Sequence, residues 1–422
     1  MMTQLPRRWY NIVPDLPKPL PPPRDPDEED FSRIEILPKL FPSNLIDQEF
    51  TAESFVEIPR EVLEVYAKMG RPTPLLRARN LERYLDTSAK IYYKREDLSP
   101  TGSHKLNTSI PQAYYARCEG VRTLVTETSA GQWGSALALA CALFNLRCLV
   151  FMTRSSYIQK PYRKIMMTLY GAEVEVSPSD KTEVGRKLLE KNPQHPGSLG
   201  IAMSEAVETV LKNGDAKYAV GSVMNFVLLH QTIIGLETVG QLEEIGEEPD
   251  VVIGCVGGGS NFAGFSYPMI GKKLRGEGFE QTDFIAVESE ASPKMTRGKY
   301  TYEHGDSAGY LPMFKMYTVG RSHIPPAIYA AGLRYHAAAP TLSTLIKEGI
   351  VKPVAYNQEE VLEAGRIFAK TEGIIPAPET AHAIKHVIEE AKTCRRREAN
   401  RTIVFCFSGH GLLDLTAYEG YD

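Results

Sequence analysis

The sequence is poor in cysteine, and its cysteines are not spaced as zinc ligands usually are. Only six occur among 422 residues, and no two of them form a CxxC pair. Structural zinc sites commonly depend on such pairs, so we expect no zinc site. Most of the six lie in apolar stretches, where a free thiol behaves as a small buried hydrophobe. This usage indicates a reduced, cytoplasmic setting.

A basic excess and a long apolar run are also absent. The formal net charge is −4, whereas a nucleic-acid binder usually carries a surplus of Lys and Arg. The longest apolar candidate, Ser135 to Met152, is interrupted by Asn145 and Arg147 and falls short of the ~20 residues of a membrane helix. Arg7 and Arg8 are not followed by the apolar segment of a secretory signal. We therefore expect no nucleic acid and no membrane as partners.

The N-terminal part of the chain differs in composition from the rest. Seven prolines lie between Pro14 and Pro26, and an acidic run from Asp27 to Asp30 follows them. Such a segment favours extended polyproline geometry and has too few apolar residues to form a core of its own. We interpret residues 1–60 as an N-terminal extension whose Pro-rich part lies on the surface as an arm.

From about residue 60 onward, short β-rich runs alternate with helical ones. The predicted strands are Lys90–Lys94, Thr123–Glu127, Arg147–Met152, Glu173–Val176, Val251–Val256, Phe284–Glu288 and Thr402–Phe407. The predicted helices include Ser135–Phe144, Pro161–Tyr170, Leu228–Glu244 and Glu359–Thr371. This alternation predicts an α/β fold with parallel sheets. The strand at 251–256 is continuously apolar, as expected when helices cover both faces.

A glycine-rich loop, Gly257 to Asn261, follows one of these strands and opens a predicted helix. Glycines let the backbone approach a ligand closely, and the free N–H groups at a helix start bind phosphate. A turn without a ligand is the alternative. A dinucleotide site is another, since Glu288 ends the next strand where a ribose-binding acid would lie. Phe262 stands where that fingerprint needs glycine, so we prefer a single phosphate.

A second loop, Ser99 to Asn107, leads from a strand into a helix and contains Lys105. A lysine at a helix N-terminus is badly placed for stability, because the macrodipole there favours anions. That cost indicates a functional amine that forms an imine with an aldehyde cofactor. An ordinary surface lysine is the alternative.

A third loop, Glu127 to Gly134, joins a strand to the next helix. Its small residues and free N–H groups form a nest that suits a carboxylate. Glu127 lies at the strand end, where a catalytic carboxyl often lies. An acid in the first turn of a helix is the alternative for this residue.

Together, four stretches resemble one known family in order and spacing. They are Ser103 to Asn107, Glu127 to Gly134, Gly257 to Asn261 and Ser408 to Gly411. From about residue 60 to the C-terminus the chain resembles the tryptophan synthase β chain, a fold-type-II enzyme that uses pyridoxal phosphate (PLP). The N-terminal extension and three further runs resemble the longer, second subtype of that chain: Gly197 to Ala202, His230 to Thr232 and Gly332 to His336.

The resemblance implies a role for each candidate residue. Lys105 would form the imine with PLP and move the Cα proton, Glu127 would be the acid–base catalyst, and Ser408 would hydrogen-bond the pyridine nitrogen. The other cofactor-binding candidates are His104, Asn107, Ser198, Gly257, Gly258, Gly259, Ser260, Asn261 and Glu288. The substrate-binding candidates are Thr128, Ser129, Ala130, Gly131, Gln132, Trp133 and Arg334.

The implied reaction is a β-replacement that makes L-tryptophan from indole and L-serine through an aminoacrylate. Arg334 stands where the commoner subtype carries an aspartate that accepts the serine hydroxyl. Arginine suits an anionic leaving group, so O-phospho-L-serine is a second candidate substrate. The alternative is that Arg334 pairs with a carboxylate and holds a loop. Other departures are Ser129 for glycine, Trp133 for histidine, and uncharged residues around His410.

The implied architecture has two αβα domains with parallel-rich sheets and PLP between them. The small domain would use residues 104–218, and the larger one residues 71–103 with 219–422. A homodimer and an α chain are implied as partners, and a monovalent cation is expected near the C-terminal loops. The rivals are threonine synthase or a cysteine-forming enzyme of the same fold, a nicotinamide-dependent dehydrogenase and a non-catalytic scaffold. The run Gln132-Trp133-Gly134 favours the tryptophan type.

Overall fold

The structure is a computed structural model that describes residues 4–26 and 32–419. The acidic run from Asp27 to Asp30 therefore lies outside the described residues. Within the described ranges, no helix is long and apolar enough to cross a membrane.

The strands form two larger sheets and two small two-stranded ones. In the described chain they are β1 (Arg8–Tyr10), β2 (Phe55–Glu57), β3 (Leu75–Arg77), β4 (Lys90–Arg95), β5 (Thr123–Thr128), β6 (Arg147–Thr153), β7 (Glu173–Ser177), β8 (Ala216–Tyr218), β9 (Val251–Cys255), β10 (Asp283–Ser289), β11 (Lys299–His304), β12 (Met313–Thr318), β13 (Val351–Tyr356) and β14 (Thr402–Phe407).

Helices connect and cover these strands. They are α1 (Ser32–Glu35), α2 (Leu37–Leu40), α3 (Ser43–Glu49), α4 (Arg60–Lys68), α5 (Arg79–Leu85), α6 (Leu106–Cys118), α7 (Gln132–Leu143), α8 (Arg154–Gln159), α9 (Pro161–Leu169), α10 (Glu183–Lys191), α11 (Leu199–Leu211), α12 (Asn225–Gln231), α13 (Ile233–Ile245), α14 (Ser260–Arg275), α15 (Pro340–Lys347), α16 (Gln358–Glu372) and α17 (Pro378–Arg397). Short 3₁₀ turns lie at Val13–Asp15, Glu96–Leu98, Ala331–Leu333 and Leu415–Tyr418.

Both larger sheets are dominated by parallel pairs. The six-stranded sheet has the order β13-β10-β9-β14-β4-β3, and its edge strand β3 runs antiparallel to β4. The four-stranded sheet has the order β7-β6-β5-β8, with every pair parallel. All strands of the smaller sheet fall between residues 123 and 218, within the segment predicted as the small domain.

Helices cover both faces of the larger sheet, as its apolar strands require. Along β9, Val252 packs in the core on one face with Phe262 of α14, and Ile253 packs in the core on the other face with Ile384 of α17. Alternate side chains of a strand point to opposite faces, so a strand buried on both sides must be apolar throughout. This arrangement confirms the predicted α/β fold with αβα layers.

The predicted strands are all present, and the differences concern elements with weaker patterns. The structure divides the helix predicted at 228–244 at Thr232, whose hydroxyl accepts a hydrogen bond from the backbone of Tyr10 at 2.9 Å. Strand β13 was not predicted, because Lys352 and Pro353 break its apolar pattern. Proline is tolerated there since β13 is an edge strand.

The N-terminal extension contains more than a surface arm. Its Pro-rich part does lie near the surface, but Trp9, Leu40 and Phe41 are buried in the main core. Strand β1 pairs with β2, and α3 packs against α12. The composition of the Pro-rich part concealed these flanking apolar residues, which give the extension a fixed position against the rest of the chain.

A buried polar network anchors the start of helix α6. Arg71 donates to Glu96 and Glu237 at 2.9 Å each, and to the Asn107 side chain at 2.7 Å. Lys94 donates to Glu237 at 2.7 Å, and all five side chains are buried. Burial raises the pKa of a carboxyl, but Arg71 and Lys94 hold the pKa of Glu96 at about 2. The carboxyl of Glu96 is therefore ionised, and the network ties α6 to β4 and α13.

We expect Glu237→Ala to lower the free energy of unfolding by about 3–5 kcal/mol, because Arg71 and Lys94 would lose a buried counter-charge. Glu243→Ala is the matched control on the same helix. Its carboxylate is 64% exposed and pairs with Lys272 at 3.1 Å, so its loss should cost about 0–1 kcal/mol. Urea unfolding of both variants measures the difference, and equal losses would contradict the proposed role of the network.

Candidate active site

A cavity lies between the two larger sheets, where loops after the carboxyl ends of β5, β9 and β14 converge. Ligand sites of open parallel sheets lie at this end of the strands. The lining includes residues of all the predicted loops and some that were not predicted. These are Ser103, His104, Lys105, Glu127, Thr128, Ser129, Ala130, Gln132, Trp133, Leu199, Gly221, Ser222, Cys255, Gly257, Gly258, Ser260, Asn261, Gly332, Leu333, Tyr335, Ala377, Glu379, Ser408 and Gly409.

Lys105 lies in this cavity, directly before the first residue of α6. Its Nζ donates to Ser260 Oγ at 2.9 Å and to the Gly221 carbonyl at 2.5 Å. Burial disfavours the charged amine and lowers the pKa of Lys105 to about 8. The neutral amine is therefore accessible near neutral pH, which is the form that attacks an aldehyde.

The glycine-rich loop forms a cradle opposite this amine. A Cβ at Gly257 would lie 2.2 Å from the Gly332 carbonyl oxygen, and one at Gly258 would lie 2.6 Å from Ser222 Oγ. Gly259 has a φ of +118° and precedes the first residue of α14, a conformation that favours glycine. The first N–H groups of a helix have no intrahelical acceptor, so the start of α14 offers donors to an anion.

His104 connects two of the loops that line the cavity, because its ring lies between Ser260 and Ser408. The His104 ring lies 3.3 Å from Ser260 Oγ through Nε2 and 3.3 Å from the Ser408 carbonyl through Nδ1. Burial lowers the pKa of His104 to about 3, so it acts as a neutral hydrogen-bonding group. The Ser408 hydroxyl lies 2.7 Å from the Thr380 hydroxyl. It is uncharged, and Thr380 fixes its position.

Glu127 ends inside the cavity near the C-terminus of β5. Its Oε2 accepts a hydrogen bond from the Tyr218 hydroxyl at 2.5 Å. Burial raises the pKa of Glu127 to about 7, although the bond from Tyr218 opposes part of that effect. Both protonation states are therefore populated near neutral pH, as a group that donates and accepts protons requires.

The loop predicted to bind a carboxylate closes the other side of the cavity. Thr128 Oγ1 accepts from the backbone N–H groups of Gly131 and Gly134 at 3.2 Å each. Ser129 Oγ donates to the Ala331 carbonyl at 3.0 Å. These bonds fix the loop, and Gly131, with a φ of +91°, precedes helix α7. We refer to residues 128–132 as the carboxylate loop.

Four predicted site residues point elsewhere. Asn107 belongs to the buried Arg71 network, and Glu288 accepts hydrogen bonds at 2.8 and 2.9 Å from the backbone of Thr296 and Met295. Ser198 accepts from the Ile201 N–H at the start of α11. These three hold local structure. Arg334 lines a smaller neighbouring cavity together with Ser198.

Glu379 is a cavity residue that the sequence did not reveal. Its Oε1 accepts from the Gly332 N–H at 2.8 Å, and its Oε2 is buried without a partner among the described residues. Tyr218 and Thr380 were also missed, although they position Glu127 and Ser408. Glu379 and Thr380 lie in the first turn of α17, where acids and hydroxyls are ordinary, so no local pattern distinguishes them.

Comparison with known proteins gives one consistent answer. The family model described as "Pyridoxal-phosphate dependent enzyme" matches residues 67–409. A "Tryptophan synthase beta chain" from Pyrobaculum aerophilum is 62% identical over 98% of this chain and 99% of its own length. "Tryptophan synthase beta chain 1" from Sulfurisphaera tokodaii is 59% identical over 98% of this chain and 97% of its own.

Solved structures support the fold. A threonine deaminase from T.th. has a TM-score of 0.55 at 22% identity, covering 84% of this chain and 98% of its own. An L-serine ammonia-lyase from Rhizomucor miehei has a TM-score of 0.60 at 16% identity, with coverages of 83% and 96%. At these identities the likeness shows the fold alone.

The fold and the lysine-containing cavity, together with the family match over residues 67–409, define a PLP-dependent enzyme of fold type II. The relatives at 59–62% identity over nearly the full length show that the chain belongs to the tryptophan synthase β chains. This confirms the family that the sequence resembles, and PLP is its cofactor.

The residues of the cavity fit this cofactor. The glycine cradle and the amides at the start of α14 suit a phosphate, and a buried amine of lowered pKa suits an aldehyde. The Ser408 hydroxyl can donate to a ring nitrogen. The phosphate, the aldehyde and the ring nitrogen of PLP thus each have a suitable partner among the cavity residues.

Replacing Lys105 with alanine should abolish the yellow absorption band of the PLP imine while the protein stays folded. Borohydride reduction of the wild type, followed by peptide mapping, should place the modification on Lys105. The sharpest internal comparison is Lys294, another buried lysine, whose Nζ donates to the Val256 carbonyl at 3.1 Å. A modified Lys294 peptide would show that the assignment to Lys105 is wrong.

Proposed function

We propose that this chain joins indole to the β-carbon of an amino acid of the serine type and so forms L-tryptophan. The observation that carries the proposal is the pairing of Lys105 and Glu127 in one cavity, each with a pKa moved toward neutrality. A β-replacement needs both an amine that moves the Cα proton and an acid that assists the leaving group. The names of the relatives support the same reaction.

When bound, PLP supplies the aldehyde and the electron-withdrawing ring that make the Cα proton acidic. Lys105 then removes the proton from Cα of the amino acid. Glu127, in its protonated form, donates to the oxygen that leaves the β-carbon. The resulting carboxylate is placed to accept the proton that indole loses at C3. The amides and hydroxyls of the carboxylate loop hold the substrate carboxylate during both steps.

Ser408 shapes the reaction through its neutrality. A hydroxyl at the ring nitrogen stabilises it by a hydrogen bond without supplying a negative charge, as an aspartate would. Less charge is then drawn from Cα into the ring, which favours loss of the β-substituent over transamination. The hydrogen bond between the Ser408 and Thr380 hydroxyls, at 2.7 Å, keeps the Ser408 hydroxyl in place.

An apolar cavity next to the site supports indole as the second substrate. It shares Ser222 and Tyr335 with the main cavity. The rest of its lining is mostly apolar: Leu37, Phe41, Met203, Tyr218, Val220, Val223, Met224, Gly305, Leu311, Phe314 and Met316. A flat, apolar bicyclic molecule gains from burial in such a space.

We expect Glu127→Ala to slow tryptophan formation by about 10²–10⁴-fold, the usual contribution of a general acid–base group. The PLP absorption band should remain, because Lys105 is intact. Glu173→Ala, an exposed carboxylate on β7 of the same sheet, is the control and should leave the rate unchanged. A Glu127→Ala rate within a few-fold of wild type would show that another group transfers the proton.

We further propose that O-phospho-L-serine serves as well as, or better than, L-serine. Arg334 donates to the Pro325 carbonyl at 3.2 Å and to Ser155 Oγ at 3.4 Å, and its Nε has no partner among the described residues. No carboxylate of the described chain pairs with it, although its bond to the Pro325 carbonyl holds the local loop. Arg321, His323 and His336 line the same small cavity, which shares Leu199 and Tyr335 with the main one. These groups suit a phosphate.

Arg334→Ala should lower kcat/KM for O-phosphoserine by about 10–150-fold, since a charged hydrogen bond contributes about 1.5–3 kcal/mol. The value for plain serine should change little. The control is Arg297→Ala, which removes an exposed arginine that pairs with Glu290 at 3.4 Å. A wild type that strongly prefers serine, or an equal loss for both substrates, would contradict the phosphoserine proposal.

An α chain and a second copy of this chain are the proposed protein partners. The name "beta chain" of the relatives supports the first, and the homodimer rests on the family resemblance. An exposed apolar row on α8 and α9 offers surface for association; it consists of Ile158, Tyr162, Ile165 and Leu169.

The second subtype, the cytoplasmic setting and a monovalent cation site stay predictions from the sequence.

A further inference from the structure

A cluster of buried charges joins the two domains beside the carboxylate loop. Lys160 and Arg163 lie at the start of α9 in the small domain, and Asp414 lies in the C-terminal segment of the large one. Lys160 Nζ is 2.7 Å from Asp414 Oδ1, and Arg163 Nη2 is 3.3 Å from Asp414 Oδ2. Their side chains are at most 3% exposed. We call these three residues the interdomain ion cluster.

The cluster carries more positive than negative charge. Two cations face one carboxylate, and no second acid of the described chain pairs with either cation. Both cations also lie at the N-terminus of a helix, where the macrodipole disfavours positive charge. Buried charge is costly unless it is compensated, so a helix that places both cations here needs a further anion nearby.

Arg163 touches the carboxylate loop directly. A Cβ at Gly131 would lie 2.6 Å from Arg163 Cβ and 2.9 Å from its Cγ, so the arginine stem fills the space that glycine leaves. The Arg163 guanidinium also donates to the Thr101 carbonyl at 3.5 Å, in the segment that leads to Lys105. Arg163 therefore contacts both loops that the substrate would meet.

Lys160 reaches the same loop by a second route. Its Nζ donates to the Tyr329 carbonyl at 2.9 Å. Two residues further on, the Ala331 carbonyl accepts the Ser129 hydroxyl at 3.0 Å. The cluster is thus linked to the carboxylate loop at two positions, Ser129 and Gly131.

We propose that Lys160, Arg163 and Asp414 are positioning residues for the amino-acid substrate. They fasten the carboxylate loop of the small domain to the large domain, and their excess positive charge attracts the substrate carboxylate. This inference rests on the proposed function of the loop as the carboxylate-binding site. None of the three residues lines the main cavity, so they act through the loop.

Arg163→Met is the direct test, because it removes the excess charge, keeps an apolar stem against Gly131 and leaves Lys160 paired with Asp414. We expect KM for the amino acid to rise about tenfold, within the range typical of residues that couple through packed contacts, while KM for indole changes less than twofold. Arg163→Lys, which keeps the charge, should recover most of the loss. Lys164→Met is the control: it removes the same charge from the same helix, where the side chain contacts Tyr157.

Hydrogen exchange of the purified protein gives a readout that does not depend on turnover. Amides of residues 128–134 should exchange faster in Arg163→Met than in wild type or Lys164→Met. An unchanged exchange rate together with an amino-acid KM within twofold of wild type would overturn the proposal, as would equal rises in KM for both substrates. A wild-type protein without activity would contradict the proposed function instead. The exchange comparison would still test whether the interdomain ion cluster holds the carboxylate loop in place.

Discussion

The amine of Lys105 is buried at the N-terminal end of α6, where the two larger sheets face each other. Desolvation and the helix macrodipole both disfavour a charged ammonium there, and only the Ser260 hydroxyl and the Gly221 carbonyl accept its protons within the described residues. The fold tolerates this buried position of the Lys105 amine because the Arg71 network holds helix α6 in place. The neutral, reactive amine is a consequence of where the fold places it.

The same burial shifts the pKa of Glu127 in the opposite direction from that of Lys105. Out of water, the carboxyl of Glu127 is favoured in its protonated form, and its pKa rises to about 7 while that of Lys105 falls to about 8. Burial in one cavity therefore brings the pKa values of an acid and a base toward the same range, and no further charged group is needed for this. Tyr218, which lines the neighbouring apolar cavity, moderates this effect by donating to Glu127.

Sequence patterns predicted the parts of this arrangement that depend on short-range geometry. Continuous apolar runs predicted the central strands, and glycines after β9 predicted the cradle. The family resemblance assigned Asn107 to the cofactor, yet residues two apart on a helix face opposite sides, and Asn107 faces the buried network. Glu379 reaches the cavity from a distant helix. Trp9 joins the core from beside the Pro-rich arm. Tertiary packing decides all three positions.

Two buried ionic groups flank the lysine, the Arg71 network behind α6 and the Lys160–Arg163–Asp414 cluster beside the carboxylate loop. Buried ion pairs stabilise a fold little more than well-packed apolar residues of similar volume would, so stability alone does not account for two of them around one cavity. Their hydrogen bonds are directional, whereas apolar packing tolerates small shifts. Charged groups at these positions therefore fix the Lys105 amine and the carboxylate loop relative to each other more precisely than an apolar interface could. The reaction requires this alignment between the amine and the bound substrate.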